Sequence, residues 1–213
     1  MTPLLTIRST GARVGAWAFV AFAALNLLDI AVRGRDMASV VMTALLLLGC
    51  GIAYVLGLRP AVVADEEGLT VRNPLRDARV PWPAARRIEG AEALMVTFAQ
   101  EGGGECKVRS WVLHTSPRAQ AKAEARARRD ARHQPGAVAA KLKGRTPATY
   151  AAQQLNEIAD RHRPKAAVAK GGRSAPPEAS GGTGALTWSR AAVAALAAPG
   201  ALVIVAALLA LLG

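Results

Sequence analysis

Residues able to do chemistry are few in this chain, and their spacing is poor. His114, His133 and His162 are its three histidines. A metal site needs such imidazoles at ligand spacing, and no such spacing links them. Ser110 and Ser116 flank His114 but lack the glycines of a nucleophile elbow. Gly102 to Gly104 is not followed by Lys-Ser or Lys-Thr and a helix, so it is no phosphate loop. Asp65, Glu66 and Glu67 resemble paired carboxylates, yet they stand between two alternating apolar segments, where a solvated hairpin turn is expected. Cys50 lies in an apolar run and Cys106 in an expected strand. No Cys-x-x-Cys, zinc spacing or disulfide framework is present. The sequence therefore predicts no catalytic, metal-ligating or cofactor-binding residue, no cofactor, and a protein that is not an enzyme.

What such residues do depends on the elements that hold them. The chain has 213 residues, a formal net charge of +12 and 52% hydrophobic residues, but only 4% aromatics. The hydrophobic residues gather at the two ends and the charge lies between them. Val14 to Val32, Ala38 to Leu58 and Ala191 to Leu212 are each long enough to cross a bilayer, which takes about 20 apolar residues. Arg8 and Arg13 precede the first run as in a signal peptide. The run is long, however, and a second follows at once, so an uncleaved anchor is expected. RGRDM joins the first two runs into a helical hairpin. Pro199-Gly200 breaks the middle of the third run, which membrane helices tolerate when neighbours satisfy the freed carbonyl. Asn26 and Asp29 share one face of the first span. An intramembrane carboxylate invites an ion or proton site, but Asp29 lies within a turn of the span's end, and Arg33 four residues on can pair with it. Basic residues near the span ends place the N-terminus and the middle region in the cytoplasm.

In the middle region the period changes to two. AVVADEEGLTVRN gives two strands around an acidic turn, and Asn73-Pro74 starts another turn. DARVPW is a third strand, with Val80 and Trp82 pointing inward. Pro83 then opens a short helical segment, PAARRI. ALMVTFA and CKVRSWVL are further strands around the loose turn EGGGE. Thr146 to Arg161 reads as an amphipathic helix, capped by Thr146, with Pro147 at its first position and a stripe of Ala151, Leu155, Ile158 and Ala159. Short antiparallel strands closed by one helix give the order of a pleckstrin-homology (PH) domain.

RPAVVADEEGLTVRNPLRDARVPWPAARRIEG resembles the bacterial PH domains of membrane proteins of the low molecular weight protein antigen six type. The likeness is carried by Arg59-Pro60 after a span, an acidic turn followed by Gly68-Leu69-Thr70-Val71-Arg72-Asn73, a basic turn into Val80-Pro81-Trp82, and Ile88-Glu89. It runs from Arg59 to about Leu113. It implies a PH-like β-fold on the membrane and transfers no catalytic motif. The basic insertion and the third span depart from the family's minimal pattern. Within this fold Trp82 and Pro83 are expected to be structural, a core tryptophan and a turn device.

The insertion, 116–145, sets nine Lys and Arg against Glu124 and Asp130, a balance of +7. Arg126, Arg128, Arg129, Arg132, Lys141, Lys143 and Arg145 are its candidate contacts to anionic lipid headgroups, each worth roughly 1 kcal/mol near such a surface. No aromatics are interleaved to stack bases, so nucleic acid is not an expected partner. The chain from Lys165 to Ser189 is rich in Gly, Pro and Ser and reads as a flexible tether, with Trp188 as an interfacial anchor. The expected fold class is three membrane α-helical spans plus a small mainly-β PH-like domain with a closing C-terminal helix. The segments are a cytoplasmic 1–13, a transmembrane hairpin 14–58, a PH-like domain 59–164, a linker 165–190 and a third transmembrane helix 191–213. The expected function is a multi-pass cell-membrane protein whose cytoplasmic PH-like module is a binding scaffold. Its partners are the bilayer, anionic headgroups or another protein. The competing expectation is a small transport or channel subunit in which Asp29 and Pro199 act.

Overall fold

The computed structural model describes residues 3–90, 92–114, 146–162 and 182–212. Three of its helices are long and apolar enough to cross a membrane: Thr10–Arg33, Met37–Leu58 and Arg190–Leu212. They bracket an antiparallel β-domain with its own closing helix, so the fold class expected from the sequence is borne out. Contacts divide the chain into two compact units.

One unit, Ile7–Ala61, Arg72–Asp77 and Thr187–Gly213, holds the long helices. α1 (Thr10–Arg33) starts at Ser9, whose hydroxyl accepts from the Ala12 amide. Gly34 ends it, donating its amide back to the Ile30 carbonyl. α2 (Met37–Ala53) starts at Asp36, whose carboxylate caps Ser39 through both amide and hydroxyl. Those bonds hold the Asp36 carboxyl below its usual range. α2 then runs into a π-helical turn, Tyr54–Leu58. The last long helix, α4 (Arg190–Leu212), passes through Pro199 without a break. Glycines on α2 set the packing. A methyl added to Gly49 would lie 2.5 Å from the Phe19 ring of α1, and one added at Gly57, in the π turn, would lie 2.8 Å from the Ala12 carbonyl oxygen. One added to Gly51 would strike the backbone of Ala195 in α4. α2 thus lies between the other two. Small residues at such crossings let helix backbones approach where lipid gives no hydrophobic drive to associate.

The other unit, Met1–Thr6, Val62–Val71 and Ala78–Leu186, holds most of the strand residues. A five-stranded sheet has the order β1 (Leu5–Ile7), β2 (Ala61–Ala64), β3 (Gly68–Arg72), β4 (Arg76–Pro81), β8 (Ala185–Trp188). A three-stranded sheet has the order β5 (Ala85–Gly90), β6 (Ala93–Ala99), β7 (Glu105–His114). β6 and β7 meet at a turn in which Gly102 and Gly103 take φ of 101° and 84°, a region L-residues with a Cβ avoid. Leu69, Val71, Val80, Leu94, Val96 and Phe98 fill the core. α3 (Pro147–His162) packs on β5. Thr146 caps it, accepting from the Thr149 amide at 3.2 Å, and the Thr149 hydroxyl donates to the Gly90 carbonyl at 2.8 Å. Ala148, Ala151, Ala152, Leu155 and Ala159 form its buried stripe.

Two expectations are corrected. PAARRI is not helical: only Trp82–Ala84 forms a 3₁₀ turn, and Ala85–Gly90 is strand β5. Its buried residues, Ala85 and Ile88, are three apart because the register slips between Ala85 and Arg87, and that bulge imitates a helical period. The tether expected over 165–190 does not extend to its end, since Ala185–Trp188 is strand β8 beside β4.

Candidate functional site

The turn between β3 and β4 is held by a buried arginine. Asn73-Pro74 bends the chain there, and the Asn73 amide closes the turn on the Arg76 carbonyl at 2.9 Å. Arg59, the first residue after the π turn, reaches into it. Its side chain is 7% exposed. The guanidinium donates to the carbonyls of Asn73 and Pro74, the latter at 3.1 Å, and pairs with the Asp77 carboxylate. A planar guanidinium with five donors suits this many-sided clasp where an ammonium would not. Asp77 Oδ1 is buried and has no hydrogen-bond partner among the described residues.

The same turn is held from the other side by the residues that open α4. The Ser189 amide donates to the Leu75 carbonyl at 2.9 Å, and the Ser189 hydroxyl caps α4 by accepting from the Ala192 amide at 3.3 Å. The Arg76 guanidinium stands 4.4 Å above the centre of the Trp188 ring, within cation–π range. Trp188 is 59% exposed. Arg72, Arg76 and Arg190 are exposed, and no carboxylate pairs with them among the described residues.

The acidic turn between β2 and β3 is a closed structure. Asp65 Oδ1 accepts from the Glu67 and Gly68 amides at 3.0 and 2.8 Å. Arg79 neutralises the turn, at 2.7 Å from Glu67 and 3.7 Å from Asp65. Glu66 and Glu67 are exposed, as a solvated turn requires, whereas Asp65 is only 9% exposed. The carboxylate is consumed as a backbone cap. Trp82 locks the turn from beneath: it is 1% exposed and its Nε1–H donates to the Asp65 carbonyl at 3.0 Å. Pro83 sits inside the 3₁₀ turn that follows.

The remaining candidates do not converge. His162, at the end of α3, stacks against Trp82 with ring centres 6.3 Å apart. Ser110 is buried, and its hydroxyl meets no partner among the described residues, hence no base. No group of three His, Cys, Asp or Glu fit for a metal occurs among the described residues. Asp29 pairs with Arg33 at 3.3 Å, and the Asn26 amide donates to the Phe22 carbonyl at 2.8 Å, so both bond within their own helix. Arg126, Arg128, Arg129, Arg132, Lys141, Lys143 and Arg145 lie outside the described residues. Sequence reasoning missed the Arg59 clasp and the pairing of Arg76 with Trp188. The available signal was an arginine directly after one span and a tryptophan directly before another.

Residues 59–131 match the family model described as Bacterial PH domain. No curated protein and no solved structure matches the chain. The match begins at the clasp arginine and takes in β2 to β7, the region whose resemblance the sequence displays. PH domains are non-catalytic binding modules, and the matched region stands in a chain with three membrane-capable helices.

Proposed function

We propose that the protein is a multi-pass membrane scaffold whose PH-like module works at the cytoplasmic face, binding a protein partner or anionic lipid and carrying out no reaction. The observation that supports this most is connectivity. β1 leads into α1 across residues 8–9, the π turn leads into β2 across 59–60, and β8 leads into α4 across Ser189 alone. A chain advances at most about 3.6 Å per residue, so none of these links crosses a hydrocarbon core of about 30 Å. All three helix ends therefore leave the membrane on the side of the sheet. Arg8, Arg13, Arg59 and Arg190 flank those ends. At the α1–α2 loop, Arg33 and Arg35 are balanced by Asp29 and Asp36. The excess of cations beside the sheet favours the cytoplasm for that side. The +7 insertion would then face the same leaflet and any acidic partner there.

The test separates a scaffold from a transport subunit. Photo-crosslinking side chains at Arg86 and Lys107, both exposed, are introduced in intact cells into the native chain and into one whose spans are exchanged for unrelated anchors. The scaffold reading expects the same crosslinked species in both. Loss of those species on span exchange, or ion flux through liposomes that Asp29→Asn abolishes, overturns it.

A further inference from the structure

We infer that the three long helices hold a site for one zwitterionic aminophospholipid, with its headgroup in a charged cleft at the α1–α2 loop and an acyl chain in the groove between α2 and α4. The inference goes beyond the scaffold reading and takes from it only that these helices span a bilayer.

The groove is the first argument. It is an apolar cavity of about 250 Å³ between α2 and α4. α2 lines it with Val40, Thr43, Ala44 and Leu47, one helix face at i, i+3, i+4 and i+7. α4 repeats that spacing from Leu202 through Val205 and Ala206 to Leu209. Ala44 and Ala206 are buried and make the floor. Leu202, Val205 and Leu209 are exposed and make a wall open to the side. The Thr43 hydroxyl donates to the Ser39 carbonyl at 2.8 Å, so it is spent within its own helix. From Val40 to Leu47 an α-helix rises about 10 Å, within one leaflet of a hydrocarbon core of ~30 Å.

Where the groove ends decides its occupant. Ser39 stands one helical turn before Thr43 on the same face, and it lines a second cavity, an open cleft of about 440 Å³. Asp29, Arg33, Arg35 and Asp36 line that cleft with it. Asp29 and Arg33 pair at 3.3 Å. Asp36 accepts from the Ser39 amide at 3.1 Å and from its hydroxyl, but no cation pairs with it among the described residues. Arg35 is exposed, and no carboxylate pairs with it among the described residues. One uncompensated cation and one uncompensated carboxylate thus share a cleft at the end of an apolar groove. A phosphodiester answers the guanidinium. A primary ammonium, with three donors, answers the carboxylate. The acyl chain of the same molecule answers the groove. A helix from a second copy would cover the groove and leave both charges unanswered.

The experiment uses the full chain in detergent. Phosphatidylethanolamine, phosphatidylcholine and phosphatidylglycerol with the same acyl chains are titrated in, and retained lipid is counted by native mass spectrometry. Phosphatidylethanolamine should be retained about 10-fold more tightly than phosphatidylcholine, whose quaternary ammonium has no N–H to donate. Asp36→Asn keeps a good helix cap but loses the charge, so it should abolish that preference without moving the thermal midpoint. Arg35→Gln should weaken all three lipids roughly 5-fold, the factor for one cation at ~1 kcal/mol. Val205→Trp fills the groove from its wall and should end retention, whereas Leu208→Trp, equally exposed on α4 but outside the groove, should leave it intact. Tighter retention of phosphatidylglycerol than of phosphatidylethanolamine overturns the zwitterionic headgroup. Displacement of the lipid by soluble phosphoethanolamine overturns the acyl chain as the anchor. Equal retention by the two Trp variants overturns the groove, and a dimer that Val205→Trp disperses assigns the groove to a second copy instead. Failure of the scaffold reading would show separately, as loss of the crosslinked species on span exchange.

Discussion

Gly51→Ala adds one methyl to α2, and the structure gives it nowhere to go. That methyl would stand 3.1 Å from the carbonyl carbon of Ala195 and closer still to its oxygen. Both atoms are backbone, so no side chain can swing aside. The carbonyl is itself unusual. Pro199, four residues on, has no N–H to offer it. The Cα–H of Gly51 is the group left beside it, a weak donor of the kind that recurs where helices pack closely. Accommodating a methyl means parting α2 from α4 by roughly 1 Å, a gap that forfeits a quarter to a half of each pairwise dispersion well. Overpacking of this kind costs about 1–3 kcal/mol. The drop should be read as a fall in the thermal midpoint of the full chain in detergent. Gly11→Ala and Gly15→Ala are the matched controls, since a methyl at either position meets nothing within 4 Å. In a Pro199→Ala background the carbonyl regains a helical donor, but the steric clash persists, so Gly51→Ala should still destabilise. Equal midpoints for Gly51→Ala and Gly15→Ala would show that α2 and α4 do not meet here, and would sink the packing argument.

Three other outcomes are expected. Trp82→Ala should destabilise the full chain by about 3–5 kcal/mol from the emptied site, with more from the unpaired Asp65 carbonyl; Trp82→Phe should recover most of it, and a midpoint within error of the native chain for Trp82→Ala would place the indole outside the core. Arg59→Met leaves Asp77 without its partner and should cost about 3 kcal/mol, the lower end for broken buried pairs because the Asp77 side chain is 32% exposed; a stability within 0.5 kcal/mol of native, on the order of a neutral surface change, would refute the clasp. A cysteine at exposed Glu101, in a chain with Cys50 and Cys106 changed to Ser, should react with an impermeant thiol reagent only after permeabilisation, and labelling in whole cells would reverse the orientation.

How far these features could be read from the sequence depends on how local their causes are. The spans were legible because a run of Ala, Leu and Val is its own evidence, and observed bounds such as Arg190–Leu212 differ little from the runs. Strand β6 was legible over Ala93–Ala99 for a similar reason, since alternation and flanking turns are local. β5 was not, because a bulge between Ala85 and Arg87 set its buried residues three apart. β8 was invisible for the opposite reason. It is four residues long, mostly exposed, and sits at the end of a Gly-rich stretch. Its stabilising bonds are to residues far away in the chain: the Thr187 hydroxyl meets the Asp77 carbonyl across 110 positions. Nothing within Ala185–Trp188 announces that partner.

The candidate site shows the same division at the level of single residues. Arg59 looks like a flanking charge, the kind that sets topology, and its position after Leu58 supports that role. Yet a guanidinium 7% exposed is no longer available to lipid phosphate as a free cation. It has become part of the turn's backbone bonding. Arg72, Arg76 and Arg190 stay exposed, Arg76 over the Trp188 indole, and the sequence lists all of these alike. Burial divides one string of arginines into a structural member and a surface set. That division follows from where Asp77 stands: a single carboxylate on β4, inside the turn, takes up the arginine nearest the second span and leaves the others uncompensated. Removing that carboxylate should therefore test the clasp from its other end. Asp77→Asn takes away the one charged partner of Arg59 and leaves its bonds to the Asn73 and Pro74 carbonyls, so it should lower the melting midpoint of the full chain by less than Arg59→Met does. An equal fall for the two would mean that the charge pair alone, and not the carbonyl bonds, holds the turn.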